Sequence, residues 1–138
     1  MFVLDTDHLS ELDRGSRLGN HLMSRLDGAA TEIATTIVSI EEQLRGWLAQ
    51  ITRQRDARRQ IISYDRLQRR LAFYLEWTVL PWDEPAAGRF EDLRRDGIRI
   101  GSMDLKIASI VLARNATLLT RNLSDFRKVP GLRTEDWL

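Results

Sequence analysis

An α/β fold is predicted, three layers deep, with helices on both faces of a mainly parallel sheet. Four short apolar runs, near residues 2–4, 33–37, 78–80 and 116–120, are separated by stretches of helical periodicity. Strands alternating with helices imply parallel crossovers. The 138 residues contain no internal repeat and no Pro/Gly/Ser linker, so residues 1–138 are expected to form one domain.

The first strand is the organising element. Met1-Phe2-Val3-Leu4 is apolar and ends on Asp5-Thr6-Asp7, two carboxylates one residue apart. Few apolar positions bounded by polar ones suit a strand covered on both faces, and ligands of open parallel sheets sit outside the strands' carboxyl ends. Asp5 is thus placed where chemistry would occur. The plain alternative is that Asp5 or Asp7 only caps the helix read from His8 to Arg14. A second helix runs from about Leu18 to Asp27, and Ile33-Ala34-Thr35-Thr36-Ile37 is the second strand.

From Ser39 the residues Ile40, Leu44, Trp47, Leu48 and Ile51 form one apolar stripe at helical spacing. A further helix from Arg58 to Glu76 is read with Ile61, Ile62, Leu67, Leu71 and Leu75 inward, giving a helical hairpin at about 39–76. Thr78-Val79-Leu80, closed by Pro81, is the third strand. A helix from Glu84 to Arg95 would bury Ala87, Phe90 and Leu93. After the break from Gly97 to Gly101, Ser102 is read as the cap of a helix from Met103 to Arg114, apolar nearly all round and so buried. Ala116-Thr117-Leu118-Leu119-Thr120 is the fourth strand. The tail carrying Phe126, Val129, Leu132 and Trp137 is expected to fold back over the sheet edge.

Composition excludes several classes. There is no cysteine, hence no disulfide framework or thiolate zinc site. No basic leader precedes an apolar stretch, and no run reaches membrane-spanning length, so a cytoplasmic protein is expected. Lysine plus arginine number 21 against 20 acids, which gives no global signature of nucleic-acid binding. The local distribution differs. Between Arg45 and Arg70 lie eight arginines and only two acids, Asp56 and Asp65.

The acids carry the functional argument. Asp104 stands in the first turn of an otherwise apolar helix, where dipole stabilisation is worth only about 0.3–1 kcal/mol and a lone carboxylate costs more unless it is paired or ligates a metal. Glu42 has two readings: the last residue of a Ser39-Ile40-Glu41-Glu42 capping box, or an acid facing a wet cleft. Asn122 and Asp125 directly follow the fourth strand. They either make an ordinary turn or, if the sheet is parallel, converge with Asp5. Several carboxylates in one place raise one another's pKa, a conflict that a hard divalent cation resolves. All-oxygen ligation favours Mg2+ or Mn2+ over zinc. Such a site polarises a phosphodiester and activates water without a protein nucleophile, and the chain carries no nucleophile elbow or glycine-rich phosphate loop.

Four ordered segments resemble the PIN-domain ribonucleases, and more narrowly the VapC toxins of toxin-antitoxin pairs. They are Phe2-Val3-Leu4-Asp5-Thr6-Asp7, Glu42-Gln43-Leu44-Arg45-Gly46, Gly101-Ser102-Met103-Asp104-Leu105-Lys106-Ile107-Ala108, and Leu119-Thr120-Arg121-Asn122-Leu123-Ser124-Asp125-Phe126, followed by Val129-Pro130-Gly131-Leu132. The resemblance implies an acidic pocket of Asp5, Glu42, Asp104 and Asp125. Asp5 and Asp104 would be the direct metal ligands, with Thr120 and Asn122 in support. It selects Glu42 over Glu41 through the spacing to Gly46. Gln43 departs from the pattern, which usually has an apolar residue there.

The implied activity is Mg2+-dependent (or Mn2+-dependent) cleavage of RNA, such as tRNA, by a homodimer silenced by a VapB-like antitoxin. Arg45, Arg53 and Arg121 are then candidate RNA contacts; a solvated helix surface is the alternative. Trp47, Leu48 and Ile51 are read as core or dimer contact, and His8 and His21 as structural. Two other functions share some features. Asp5-Thr6-Asp7 also resembles the first motif of haloacid dehalogenase-type phosphatases, but those need a later lysine and a second acidic pair, and only Lys106 and Lys128 are present. A non-catalytic PIN-like module that binds RNA or a partner is the third reading.

Overall fold

Residues 1–138 are described by a computed structural model. Its strands β1 (Phe2–Leu4), β2 (Ile33–Thr36), β3 (Thr78–Leu80), β4 (Thr117–Leu119) and β5 (Arg133–Glu135) form one sheet in the order β3-β2-β1-β4-β5. Every neighbouring pair is parallel, with Leu4 opposite Thr35 on one side and Leu119 on the other. Seven helices cover it: α1 (Thr6–Arg14), α2 (Arg17–Asp27), α3 (Ile37–Arg53), α4 (Ala57–Tyr74), α5 (Glu84–Arg95), α6 (Ser102–Ala113) and α7 (Leu123–Phe126).

Side-chain alternation along the strands builds two cores. Val3, Ala34 and Leu118 face one way, onto Ala86 and Leu93 of α5, Ile107, Ile110 and Val111 of α6, and Phe126. Leu4 and Leu119 face the other, onto Leu9 and Leu12 of α1, Leu22 and Leu26 of α2, and Tyr74 of α4. The helices are therefore split between the two faces, as three layers require. Gly19 permits α2 to lie against α1, since a Cβ there would stand 2.1 Å from the Glu11 carbonyl oxygen. No helix is long and apolar enough to cross a membrane.

The chain moves from β1 through β2 to β3 in one direction, and then returns to place β4 and β5 on the other side of β1. That reversal opens a crevice outside the carboxyl ends of β1 and β4, the place where parallel sheets bind ligands.

Several local expectations are corrected. The tail does not fold over the edge but adds β5 as a fifth strand. Arg133, Thr134 and Glu135 show little apolar patterning because an edge strand is half solvated, and charge there discourages further pairing. Helix α3 begins at Ile37, directly out of β2, and its cap is Thr36, whose Oγ1 accepts the Ser39 backbone N–H at 2.9 Å. The Ser39 capping box is therefore not formed. Ser102 does not cap α6 either; exposed Gly101 holds that position with no side-chain bond. In α5 it is Ala86, not Ala87, that is fully buried. The segment after β4 is a short helix, α7, and not a plain turn.

The largest correction concerns α4. Ile61, Ile62, Leu71 and Leu75 are 61%, 60%, 47% and 87% exposed, and Leu48 of α3 is also exposed. The less exposed side of α4 carries Ser63, Leu67, Arg70 and Tyr74, at spacings of four, three and four residues. Tyr74 packs into the core with Leu4 and Leu119, and polar contacts hold the rest of this side: Arg70 pairs with Asp13 of α1 at 2.5 Å, and the Tyr74 hydroxyl donates to Gln43 Oε1. Of the residues expected inward only Leu67 lies on this side; apolar periodicity misses the rest because an ion pair and a hydrogen bond help to hold it.

Candidate active site

The ends of β1 and β4 deliver polar residues to the crevice, Asp5 and Thr120. Asp5 follows β1; its backbone N–H still donates to the Leu119 carbonyl, and its side chain is only 4% exposed. One carboxylate oxygen accepts the Thr6 backbone N–H at 2.7 Å, the other accepts the Thr120 hydroxyl at 2.6 Å. Asp5 is thus both the cap of α1 and a member of the crevice, so the two readings of this residue are compatible. Burial pushes its pKa up to about 7 against the pull of those two hydrogen bonds, and the neighbouring Asp7 and Asp104 charges push the same way.

Thr120, at the end of β4, is fixed from the tail: its backbone N–H donates to the Glu135 carbonyl at 2.9 Å. Its hydroxyl oxygen also accepts the Asn122 N–H at 3.0 Å. The Asn122 amide then bridges two acids, donating to Asp104 at 3.1 Å and to Asp125 at 3.3 Å. Asp104, half-buried in the first turn of α6, has its pKa raised by burial and then by Glu42, Asp125 and Asp7. Asp125 differs. Lys128 donates to it at 2.6 Å and, with Asn122, holds its carboxyl below the usual range. Asp125 is therefore already paired at the rim.

Glu42, in the second turn of α3, accepts the Thr6 hydroxyl at 2.6 Å. From sequence Thr6 has no assigned part and Asp7 only that of a second acid or helix cap; in the structure Asp7 accepts the Arg121 backbone N–H at 3.2 Å. Both lie within the Asp5-Thr6-Asp7 run, and the direct start of a helix after β1 would have placed them. The Gln43 departure also has a structural role: its amide donates to the Thr6 carbonyl at 3.2 Å and to the Ser10 hydroxyl at 2.7 Å. The polar chain from Tyr74 through Gln43 thus anchors the segment that holds Glu42.

The arginines are less uniform than the acids. Arg121 is exposed at the crevice mouth, on the residue whose backbone meets Asp7. Arg45 lies one turn beyond Glu42 but pairs with Glu41 at 2.6 Å. Arg53 is eleven residues past Glu42 on the same helix, about 16 Å along its axis at 1.5 Å per residue, too far to share a phosphate with the acids. His8 is buried, and its Nε2 accepts the Trp137 backbone N–H at 3.2 Å, a structural tie to the tail. Lys106 stands over the Trp82 ring and Lys128 is taken by Asp125, so neither serves Asp5 as a phosphatase lysine would.

The donor set suits a divalent cation. All candidate donors are oxygen, as Mg2+ and Mn2+ prefer. Asp5 and Asp104 are both pushed toward the protonated form by burial and by like charge, a tension that a cation relieves. No three acidic or histidine side chains converge as a ready cage. The residues therefore fit an ion held by two carboxylates that keeps several of its waters, which is the habit of Mg2+.

The PIN domain family model matches residues 2–132. Among characterised proteins, ribonuclease VapC2 of Rickettsia felis is 46% identical over 46 residues, 33% of this chain and 34% of that protein. The tRNA(fMet)-specific endonuclease VapC of Salmonella typhimurium is 38% identical over 63 residues, 43% of this chain and 48% of that protein. The chain thus spans a third to a half of the length of the curated relatives it matches. Of solved structures, DNA-bound VapBC from Salmonella typhimurium superposes with a TM-score of 0.75 at 23% identity, covering 99% of this chain and 98% of that one. VapBC2 from Rickettsia felis, bound to a promoter DNA fragment, gives 0.70 at 21%, again covering 99% and 98%. At those identities the likeness is one of fold.

Proposed function

This chain belongs to the PIN-domain family, and on that premise we propose that residues 1–138 act as one divalent-cation-dependent endoribonuclease unit, a VapC-type toxin. What supports the reading most is the mutual charge at the sheet's reversal point: Asp104 is raised by burial and then by Glu42, Asp125 and Asp7, and Asp5 by burial and then by Asp7 and Asp104. The substrate is RNA such as tRNA. The partners are a small VapB-like antitoxin and a second copy of the chain, and the compartment is the cytoplasm. The relatives' names, ribonuclease and tRNA(fMet)-specific endonuclease, support the substrate class. Neighbours solved as VapBC complexes support the antitoxin.

Asp5 and Asp104 would hold the cation, Mg2+ or Mn2+. When bound, it supplies Lewis acidity toward the phosphoryl oxygens and a water of lowered pKa. The remaining work falls to the chain. Thr120 and the Thr6 N–H fix both oxygens of Asp5, so its orientation is set before substrate arrives. Asn122 spaces Asp104 from Asp125. Glu42, aligned by Thr6, is the acid left to accept a proton from the attacking water. Arg121 faces the incoming strand at the mouth.

Attack by an external water gives products without a 2′,3′-cyclic phosphate. Purified protein with single-stranded RNA should cleave in Mg2+, lose several orders of magnitude of rate in EDTA, recover in Mn2+, and leave no cyclic ends. Undiminished cleavage in EDTA, or cyclic phosphate termini, would overturn the assignment.

A further inference from the structure

A second hollow adjoins the acids. It lies between α1, α3 and α4, has a volume of about 320 Å³, and shares Thr6 and Glu42 with the crevice. That volume is at the lower end for a small-ligand site, ~300–1,000 Å³. Two features show that it is built. The first is Arg70: its guanidinium is fixed between Asp13 and the Trp47 ring, 4.9 Å from the ring centroid, and its Nε is buried with no partner. A flat cationic surface is thereby held rigid at the wall, backed by an aromatic ring.

The second is Gly46, in the middle of α3. Glycine is among the poorest residues for a helix interior, and nothing in the fold demands it here, since a Cβ at this position would meet no atom within 4 Å. The space above Gly46 is part of the hollow and is kept clear.

We propose that this hollow receives one unpaired nucleobase of the RNA strand, next to the phosphate that lies at the acids; this rests on the nuclease reading above. The chemistry favours a base over other occupants. The Asp13 and Glu42 carboxylates accompany Arg14 and Arg70, so the hollow has no cationic excess for a phosphate. Trp47 is its single hydrophobic lining residue, so it offers little to an apolar peptide. A guanidinium plane for stacking, with the Gln50 amide and Asp13 beside it, matches a flat ring whose edge carries both donors and acceptors. A base in an A-form duplex is stacked and paired and cannot enter the hollow, so the strand is unpaired there.

Gly46→Leu fills the space and raises helix propensity, so folding should survive, as a melting curve will show. Anisotropy of labelled single-stranded RNAs, one base varied at a time without metal, should show base-selective binding by the native chain. Gly46→Leu should weaken that binding roughly tenfold, the scale of one lost base stack, and level the selectivity. With metal, the same variant should raise KM for RNA by a similar factor. Gln50→Ala should change the order of base preference without altering the melt. Unchanged affinity and base order in Gly46→Leu would overturn the proposal, as would loss confined to a protein partner. Base-selective binding without any cleavage would instead sink the nuclease reading and leave this site standing.

Discussion

Asp5→Asn and Asp104→Asn, made singly, are expected to lower RNA cleavage roughly a thousandfold or more, the loss that follows from removing about 4 kcal/mol of cation-borne stabilisation. Neither should unfold the chain. In Asp5→Asn the amide oxygen still accepts the Thr6 N–H, and Thr120 retains the Asn122 N–H as a partner. In Asp104→Asn the side chain loses a charge opposed by three neighbouring carboxylates. Asp125→Asn should cost far less activity, because Lys128 already neutralises that group. A steady-state assay beside a urea melt separates these outcomes. Native-level cleavage by Asp104→Asn would contradict the assignment of ligands.

Cation-free stability is expected to fall as pH rises through neutrality. The Asp5 carboxyl goes from 3.8 to about 7 on folding, so the folded state holds the proton more tightly than the unfolded chain. That contribution is fully present below about pH 4 and is lost as pH climbs through about 7, a change on the order of 2–4 kcal/mol. Asp104 is raised by the same causes and adds in the same direction. His8, lowered by burial, acts oppositely, and its contribution is lost as pH falls below its ordinary 6.5. Most of the decline falls between about pH 4 and 7, and the part that His8 does not oppose lies from about pH 6.5 to 7.5, above which the curve flattens. Asp5→Asn should flatten it and melt higher than the native chain at the upper end of that interval. A native melting temperature that rises over the same interval would contradict the burial of an uncompensated acid.

Much of this is legible in the sequence for one reason: the elements that build the sheet have strong local signals. Val3-Leu4 and Leu118-Leu119 are apolar because both faces of β1 and β4 are covered, and the polar residues after them mark the strand ends where the crevice opens. Asp104 is visible because a charge in an apolar helix needs an explanation. What is not legible depends on tertiary contacts. The strand β5 is half solvated and carries almost no pattern. The docking side of α4 is set by Arg70 meeting Asp13 and Tyr74 meeting Gln43, partners tens of residues away, so its apolar residues mislead. The part of Thr6 depends on its hydroxyl finding Glu42 across 36 residues, which no local spacing encodes. The Gln43 departure, by contrast, is visible as an anomaly in sequence and becomes intelligible only beside Tyr74 and Ser10.

The most direct measurement is calorimetric titration of Mn2+ into the metal-free chain near neutral pH, repeated in buffers of different ionisation heat. The account predicts saturable binding with net proton release, because Asp5 is partly protonated there. It also predicts that the Asp5→Asn/Asp104→Asn variant binds no ion. Equal Mn2+ binding by that variant, or none by the native chain, would contradict it.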